Sequence, residues 1–385
     1  MPDIFEEMAV VQATCDNGLA PYLADELSGL GFPARRTHRN GVEITATVRD
    51  CIRLCLSSRI AYTFLYQLMD FPCRNAEALY RACAAYPWEE VIAPDAEISV
   101  TCRVNTPSVN DTRYPALKLK DAVVDRLREK RGARPNSNNE RNGAVIHLNW
   151  QEGHAWVFLN TAGQKLSDRG YRRSPGGAPL RETLAAAILR AMDYDGTQPL
   201  VNPMCGSGTL AIEAALIMRR CAPGLLRDRY GFQHLQGYSP EEYLRQRQAL
   251  TKAKKNSGYQ PIIASDISPD AIATARRNAA TAGVDNLIKF QVGDFRETAI
   301  PAENSAIVLN PPYGERLGEV QELESLYKAI GDWFKQKCQR CTGYVFTGNR
   351  ELGKKVGLHP DRRFEFFNAK IECRLFRYGI YAGRG

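Results

Sequence analysis

The amino-acid sequence predicts an α/β fold in two halves, an α+β half followed by a half built on a mostly parallel, doubly wound sheet. Its 385 residues are more than a single domain usually holds. Its composition, 44% hydrophobic and 24% charged, is that of a globular protein with a buried core. After about residue 180, short apolar runs alternate regularly with helical patterns, which is typical of a parallel sheet.

The first half contains helices and strands in no regular alternation. Apolar periodicity predicts helices over 19–30, 76–85 and 116–130 and strands over 10–13, 41–48, 97–103, 144–149 and 155–160. Residues 168–179 are rich in Arg, Gly and Pro and predict an exposed linker.

The second half begins with a predicted helix over 180–192. The alternating elements that follow are strands over 199–202, 262–266, 288–293, 306–310 and 343–347, and helices over 208–219, 270–282 and 322–336.

The termini and the cysteines predict a soluble cytoplasmic protein without a metal. The first seven residues are acidic and lack a signal-peptide pattern, and no uncharged apolar run reaches membrane-spanning length. Eleven cysteines in a reducing compartment are expected to be buried thiols. Cys338 and Cys341 form the single Cys-x-x-Cys pair, and the five histidines are scattered, so no metal site is expected.

The charge balance favours a polyanionic partner only weakly. Lys and Arg number 51 against 43 acidic residues, a net charge of +8. The segment from Arg113 to Arg141 contains nine basic and four acidic residues, so positive charge is concentrated around a predicted helix. Such a helix is either a solvated face or a phosphate-binding surface.

The first motif is the strand-to-helix turn Asn202-Pro203-Met204-Cys205-Gly206-Ser207-Gly208-Thr209. Two glycines permit a tight turn and close approach of a ligand to the backbone, and the helix that follows presents free amide groups. The turn contains no lysine, so it is not a P-loop. The next acid at a predicted strand end, Asp266, lies too far along the chain for a dinucleotide-binding fingerprint.

Two acids end successive predicted strands. Asp266 follows an apolar strand, and Asp294 follows Gly293 at the end of the next strand. Carboxylates in such positions reach a ligand's sugar hydroxyls or amino groups. Either acid alone could instead be a helix cap.

The most informative motif is Asn310-Pro311-Pro312-Tyr313, at the end of another predicted strand. The prolines fix the backbone and remove donors, so the Asn310 amide oxygen and the Pro311 carbonyl can accept hydrogen bonds from an amino group. Tyr313 offers a flat face on which a base can stack. The motif thus predicts a site that orients an exocyclic amino nitrogen.

In this order the motifs resemble those of class I methyltransferases that modify amino groups. More closely, the chain resembles the THUMP-containing 23S ribosomal RNA guanine-N2 methyltransferases of the RlmL type. The resemblance spans nearly the whole chain and includes Leu117-Lys118-Leu119-Lys120-Asp121, Arg169-Gly170-Tyr171-Arg172, Leu180-Arg181-Glu182-Thr183, 221–224 and 367–375.

The resemblance implies a Rossmann-like methyltransferase domain over 181–385, preceded by a ferredoxin-like segment over 1–70, a THUMP RNA-binding domain over 71–165 and a linker over 166–180. It implies S-adenosylmethionine as cofactor and RNA as partner, with 23S ribosomal RNA first and transfer RNA second. Some relatives carry a second methyltransferase domain; the chain ends before one, and no second activity is expected.

The resemblance also implies roles for particular residues. Cys205 to Gly208 would hold the methionine part of the cofactor, Asp266 its ribose and Asp294 its adenine. The cofactor-binding set is Arg181, Glu182, Thr183, Asn202, Pro203, Cys205, Gly206, Ser207, Gly208, Asp266, Ile267, Asp294, Phe295 and Asn310. The catalytic set is Asn310, Pro311, Pro312 and Tyr313. The RNA-binding set is Lys118, Lys120, Arg126, Arg128, Arg169, Tyr171 and Arg172.

The chain departs from the family pattern at two positions, of which the first motivates an alternative with an inactive methyltransferase half. Asn202 stands where the family usually has Asp, and Asn368-Ala369 replaces the commoner Asn-Gly. The alternatives are a THUMP methyltransferase acting on transfer RNA, adenine N6 as target, an RNA-binding assembly factor with an inactive methyltransferase half, and DNA amino methylation. In the main reading the methyl group passes directly to nitrogen, with no covalent enzyme intermediate.

Overall fold

The computed structural model describes residues 3–106, 111, 113–137, 140–172, 180–314 and 320–381. The chain forms two compact units: unit 1 comprises Met1–Cys15, Leu23–Leu166 and Arg227–Ala249, and unit 2 comprises Asp16–Tyr22, Ser167–Leu226 and Leu250–Gly385. Residues 173–179 of the predicted linker lie outside the described residues. Among the described residues, no helix has both the length and the apolar composition that crossing a membrane requires.

Unit 1 is built on a seven-stranded sheet in the order β2-β3-β1-β4-β7-β6-β5. All its strand pairs are antiparallel except β5 with β6. The strands are β1 (Ala9–Thr14), β2 (Arg36–His38), β3 (Gly41–Ala46), β4 (Thr63–Pro72), β5 (Ile98–Asn105), β6 (Ala144–Gln151) and β7 (His154–Asn160), and the helices are α2 (Val48–Ser57), α3 (Ala76–Ala85) and α4 (Arg113–Arg131). Two further helices, α1 (Ala20–Gly29) and α7 (Pro240–Lys252), contribute residues to both units.

One face of this sheet is buried and the other is open. Along β1, Val11 and Ala13 are fully buried while Gln12 and Thr14 are half-exposed. This alternation follows from the two-residue repeat of a strand, which points successive side chains to opposite faces. No element was predicted over 49–75, where the structure has α2 and β4; Thr47 and Asp50 begin α2 with a reciprocal capping box.

Unit 2 is built on a second seven-stranded sheet, in the order β10-β9-β8-β11-β12-β14-β13. The first five strands are parallel, and β14 and β13 are antiparallel additions. The strands are β8 (Leu200–Pro203), β9 (Ile262–Asp266), β10 (Ile288–Val292), β11 (Ala306–Leu309), β12 (Thr342–Thr347), β13 (Arg362–Asn368) and β14 (Ile371–Gly379), and the helices are α5 (Glu182–Ala191), α6 (Thr209–Met218), α8 (Pro269–Thr281), α9 (Val320–Lys337) and α10 (Arg350–Lys355). The predicted mostly parallel sheet is confirmed.

The strand order of unit 2 places a crevice beside β8. The chain passes from β8 to β9 and β10 on one side, then returns to β11 on the other side of β8. In open α/β sheets ligands bind where the order reverses in this way, outside the carboxyl ends of the strands. The candidate site is therefore expected where β8 and β11 end.

Candidate functional site

The ends of β8 and β11 are joined by a side chain. Asn202 is fully buried, and its Nδ2 donates to the carbonyl oxygen of Val308 at 2.9 Å. A carboxylate at this position could not donate this hydrogen bond. The second polar atom of the amide, Oδ1, is buried and has no hydrogen-bond partner within the described ranges.

The turn after β8 has the open backbone that its glycines predicted. Gly206 and Gly208 have φ of 54° and 82°, in the left-handed region that favours glycine. A Cβ placed on Gly206 would meet no atom within 4 Å, whereas one on Gly208 would lie 2.9 Å from the Cβ of Ala275. Gly206 thus leaves space for a ligand, and Gly208 lets α6 approach α8.

The thiol of this turn is not a nucleophile at neutral pH. Burial, together with the nearby Asp266, raises the pKa of Cys205 to about 12. The thiolate is the reactive form of cysteine, and it is scarcely populated at such a pKa. Cys205 can therefore line the turn, but it is unsuited to covalent catalysis.

Asp266 organises the turn from the end of β9. One carboxylate oxygen accepts from the Gly206 backbone N–H at 2.9 Å and the other from the Ser268 N–H at 3.0 Å. Each oxygen can accept a further hydrogen bond, so sugar hydroxyls remain possible partners. The next residue, Ile267, is 73% exposed, an apolar surface immediately beside this carboxylate.

Asp294 and Phe295 each have contacts within unit 2. Asp294 accepts from the Arg296 backbone N–H and forms a two-point ion pair with its guanidinium, which lowers the pKa of the carboxyl. It therefore caps a short 3-10 turn. Phe295 is buried and packs edge-on against Trp333 at 5.7 Å between ring centres. Its ring belongs to the core, so the predicted cofactor contact of Phe295 would be made by its backbone.

The segment after β11 carries the predicted acceptor. The Asn310 side chain oxygen is buried and unpartnered among the described residues. Pro311 is buried and Pro312 exposed. The hydroxyl of Tyr327 lies 3.3 Å from the Pro312 carbonyl and donates to it, which fixes the backbone that carries Asn310.

Tyr313 is held by residues that the sequence did not mark as functional. Asn368 Nδ2 donates to the Tyr313 hydroxyl at 3.0 Å. A Cβ on Gly348 would lie 3.0 Å from two ring atoms of Tyr313 and 2.8 Å from Ile371. Only the presence of Asn368 in a segment that resembles the family signalled its role. Gly348 gave no signal.

Helix α5 brings a third unpartnered acceptor. Thr183 is fully buried, and its hydroxyl has no partner in the part of the chain described. Glu182 is buried, and its carboxylate lies 3.6 Å from the guanidinium of Arg172. Arg181 precedes the helix and is paired with Asp16 at 2.9 Å. Asp16, in the part of unit 2 contributed by 16–22, was missed because it lies 165 residues from its partner.

Arg169 and Tyr171 are corrected from RNA contacts to structural residues. Both are 1% exposed. The Arg169 guanidinium lies 3.4 Å from the Glu213 carboxylate, and the Tyr171 hydroxyl donates to the same oxygen at 3.2 Å. Arg172 is half-buried and donates to the Leu180 carbonyl and to the Thr209 hydroxyl. An RNA phosphate could not reach the first two side chains, because they are enclosed in unit 2.

The basic helix α4 retains part of its predicted role. Arg126 is tied to Glu89 by two hydrogen bonds and is largely covered. Arg128 is exposed and lies 3.6 Å from Asp125. Lys118 lies over the rings of Tyr80 and Tyr114, at 5.7 and 5.8 Å from their centres. Arg128, Lys118 and the half-exposed Lys120 therefore remain candidates for phosphate contacts.

Nothing in the described residues resembles a metal centre: no group of three or more His, Cys, Asp or Glu side chains has metal-binding geometry. Cys338 and Cys341 are both buried as free thiols.

Comparison with protein families identifies three regions. Residues 169–377 match the RMKL-like methyltransferase domain, 73–160 match the THUMP domain, and 11–62 match the RlmL ferredoxin-like domain. A "Ribosomal RNA large subunit methyltransferase K/L" from Syntrophotalea carbinolica is 37% identical over 96% of the chain and 53% of the relative. The chain thus spans about half the length of the curated relatives that it matches.

Solved structures share the fold over nearly the whole chain. The crystal structure of SMU.472 complexed with SAH has a TM-score of 0.88 at 24% identity, covering 99% of this chain and 100% of that one. A "predicted N6-adenine-specific DNA methylase" from Listeria monocytogenes has a TM-score of 0.85 at 26% identity, covering 97% of this chain and 96% of that one.

Proposed function

Because the chain belongs to the RMKL-like methyltransferase domain family, we propose that it transfers a methyl group from S-adenosylmethionine to the exocyclic N2 of a guanine in 23S ribosomal RNA. The proposal rests on one observation above all. Asn310 presents a buried, unpartnered amide oxygen at the end of β11, beside the strand that carries the glycine turn. A buried acceptor without a partner is costly, and a substrate amino group would satisfy it.

Residues at the ends of three adjacent strands fit the cofactor. The open space at Gly206 and the free oxygen of Asn202 suit the methionine part, and Asp266 suits the ribose hydroxyls. Ile267 offers an exposed apolar surface for the adenine. Asp294, which follows the neighbouring strand β10, is the second residue that we assign to the adenine. When bound, the cofactor supplies an activated methyl group on its sulfonium.

The chain's own contribution is to orient the amino nitrogen. Asn310 Oδ1 and the Pro311 carbonyl accept hydrogen bonds from its two N–H groups. The nitrogen lone pair is then directed at the methyl group of the cofactor. Tyr313 stacks on the base after it leaves its helix. The proton lost from nitrogen passes to solvent after transfer, so no strong general base is required.

The N-terminal half supports RNA over DNA. Its matches to the THUMP and ferredoxin-like domains accompany relatives whose names specify ribosomal RNA. Transfer RNA is the second candidate substrate, and we propose a cytoplasmic location with either substrate.

We also propose the domain limits 1–70, 71–165, 166–180 and 181–385. The compact units differ from these limits in that 16–22 belong to unit 2 and 227–249 belong to unit 1.

The test is methyl transfer followed by identification of the product. The protein is incubated with radiolabelled S-adenosylmethionine and unmodified ribosomal or transfer RNA, and the labelled RNA is digested to nucleosides. Label in N2-methylguanosine from ribosomal RNA is the expected result. Label from transfer RNA alone would replace the substrate, and label in N6-methyladenosine would replace the target atom. Absence of cofactor binding by calorimetry would favour an RNA-binding assembly factor.

A further inference from the structure

A groove on the open face of the unit 1 sheet has a volume of about 650 Å³ and holds polar and charged side chains. We propose that this groove binds an unpaired stretch of RNA, with bases stacked and read along the sheet. The proposal rests on the proposed function for RNA as the partner. It assigns the contact to the sheet rather than to helix α4, which was the surface predicted from the sequence.

The groove is built by strand register. On the β5 side, Asp70, Trp156, Asn149 and Arg103 lie directly opposite one another on β4, β7, β6 and β5. On the other side, Arg36 on β2 faces Glu43 on β3, which faces Gln12 on β1. Residues opposite each other on adjacent strands point to the same face, and Gln12 lies opposite Leu65, two residues before Gln67 on β4, so both rows share the open side. A register shift between Gln67 and Met69 keeps Gln67 and Asp70 on that side together.

Unpaired positive charge lies at both edges of the groove. Arg36 is on β2 and Arg103 on β5, the two outermost strands, and both are exposed. Neither guanidinium forms a hydrogen bond or ion pair within the described part of the chain. Six inter-strand steps of about 4.8 Å separate these strands along the sheet, room for several nucleotides. Guanidinium groups placed in this way suit phosphates at the two ends of a short single-stranded segment.

The carboxylates in the groove are hydrogen-bonded to neighbouring side chains. Glu43 accepts from the His38 ring, with 2.7 Å between the atoms. Asp70 contacts the His154 ring and accepts from the Trp156 indole N–H at 3.2 Å. Both acids therefore fix the positions of neighbouring groove side chains.

The middle of the groove suits bases rather than phosphates. Gln12, Gln67, Asn149 and Gln151 carry amides, which both donate and accept hydrogen bonds as base edges require. Trp156 adds an indole face for stacking. A duplex hides its base edges in its grooves and offers mainly shape and backbone, so unpaired nucleotides fit this lining better.

Tryptophan fluorescence gives a direct test, because Trp156 is half-exposed whereas Trp88, Trp150 and Trp333, the rest of the four tryptophans, are buried. We would titrate the full chain with an unstructured 12-nucleotide RNA and with a duplex of equal length. Quenching by the single strand, with weaker quenching by the duplex, is expected. Trp156→Ala should abolish the signal and weaken binding of fluorescently labelled single strand by about fivefold or more.

Charge variants separate the groove from helix α4. Arg103→Ala should weaken single-strand binding about tenfold and lower the slope of log affinity against log salt by about 0.7. Arg128→Ala, which removes an exposed arginine of α4, tests the competing surface and should weaken binding less than Arg103→Ala does. Cofactor binding should be unchanged in all three variants.

The opposite pattern would overturn the proposal. If Arg128→Ala weakened binding while Trp156→Ala and Arg103→Ala did not, the helix would be the RNA surface. Equal quenching by duplex and single strand would refute the preference for unpaired bases. If the protein methylated RNA but neither Trp156→Ala nor Arg103→Ala changed RNA binding, the groove would be rejected and the proposed function would stand. If the wild-type protein did not bind S-adenosylmethionine, the proposed function itself would be rejected.

Discussion

Gly348→Ala tests whether the position of Tyr313 controls catalysis. The new Cβ would lie 3.0 Å from two Tyr313 ring atoms and 2.8 Å from the Cγ2 of Ile371. Carbon atoms in ordinary contact are about 3.5 Å or more apart. The ring must therefore shift by about half an ångström or more, and this would strain its hydrogen bond with Asn368, which is 3.0 Å long.

Displacing the Tyr313 ring, on which the substrate base stacks, should lower the rate of methyl transfer. Misplacing a reacting group by about 1 Å lowers rates roughly 100-fold. We expect a fall of about 10-fold to 100-fold in kcat, with the cofactor Kd unchanged because Tyr313 does not line the glycine turn. The assay is single-turnover methylation of RNA with cofactor binding measured separately by calorimetry. Overpacking should also lower the unfolding free energy by about 1–3 kcal/mol.

The matched control is Gly29→Ala, since a Cβ there meets nothing within 4 Å and the residue is helical. It should leave the rate unchanged. Wild-type kcat in Gly348→Ala would refute the claim that the orientation of Tyr313 matters, whereas a fall matched in Gly29→Ala would indicate a general loss of folded protein.

Three further predictions concern stability. Ala369, with φ of 54°, occupies a turn conformation that favours glycine, so Ala369→Gly should raise the unfolding free energy by about 1 kcal/mol in urea denaturation; a decrease would show that the turn is unstrained. Glu213→Ala leaves the buried Arg169 guanidinium without its counter-ion and should cost about 3 kcal/mol in the same measurement; a cost below about 1 kcal/mol would mean that water reaches the site. Arg296 lowers the pKa of Asp294, so their pair stabilises the fold above the ordinary Asp pKa of about 3.9 and loses that contribution as the pH falls through the lower folded value. The stability difference between wild type and Arg296→Ala should thus be constant from about pH 5 to about pH 7 and shrink below about pH 4, and a difference that grew in acid would have the wrong sign.

The sequence predicted those parts of the site that consist of residues close together in the chain. Asn310 to Tyr313 and Gly206 to Gly208 follow apolar strands directly, and the strands of a parallel sheet end at one edge. Strand position therefore implied proximity before any contact was known. The same reasoning predicted the parallel sheet itself, because β-α alternation leaves few topologies.

The parts that sequence missed depend on contacts between distant residues. Asn368 and Tyr313 are 55 residues apart, and nothing local links them. Arg169 was expected on the surface because its segment is rich in Arg, Gly and Pro. The available signal was its partner: Glu213 is the single charged residue of the otherwise apolar helix α6, and a buried acid requires a counter-ion. The groove of unit 1 depends on the pairing of β4 with β7, which periodicity does not reveal.

In the proposed function, the Asn310 loop binds the 2-amino group of a guanine. Once the methylated position is mapped, an RNA fragment carrying inosine there removes only that amino group. We expect unchanged RNA binding and no methyl transfer to the inosine fragment, with Asn310→Ala equally inactive on the guanosine fragment. Methylation of the inosine fragment at the wild-type rate would contradict it, because the accepted methyl group would then lie on another atom.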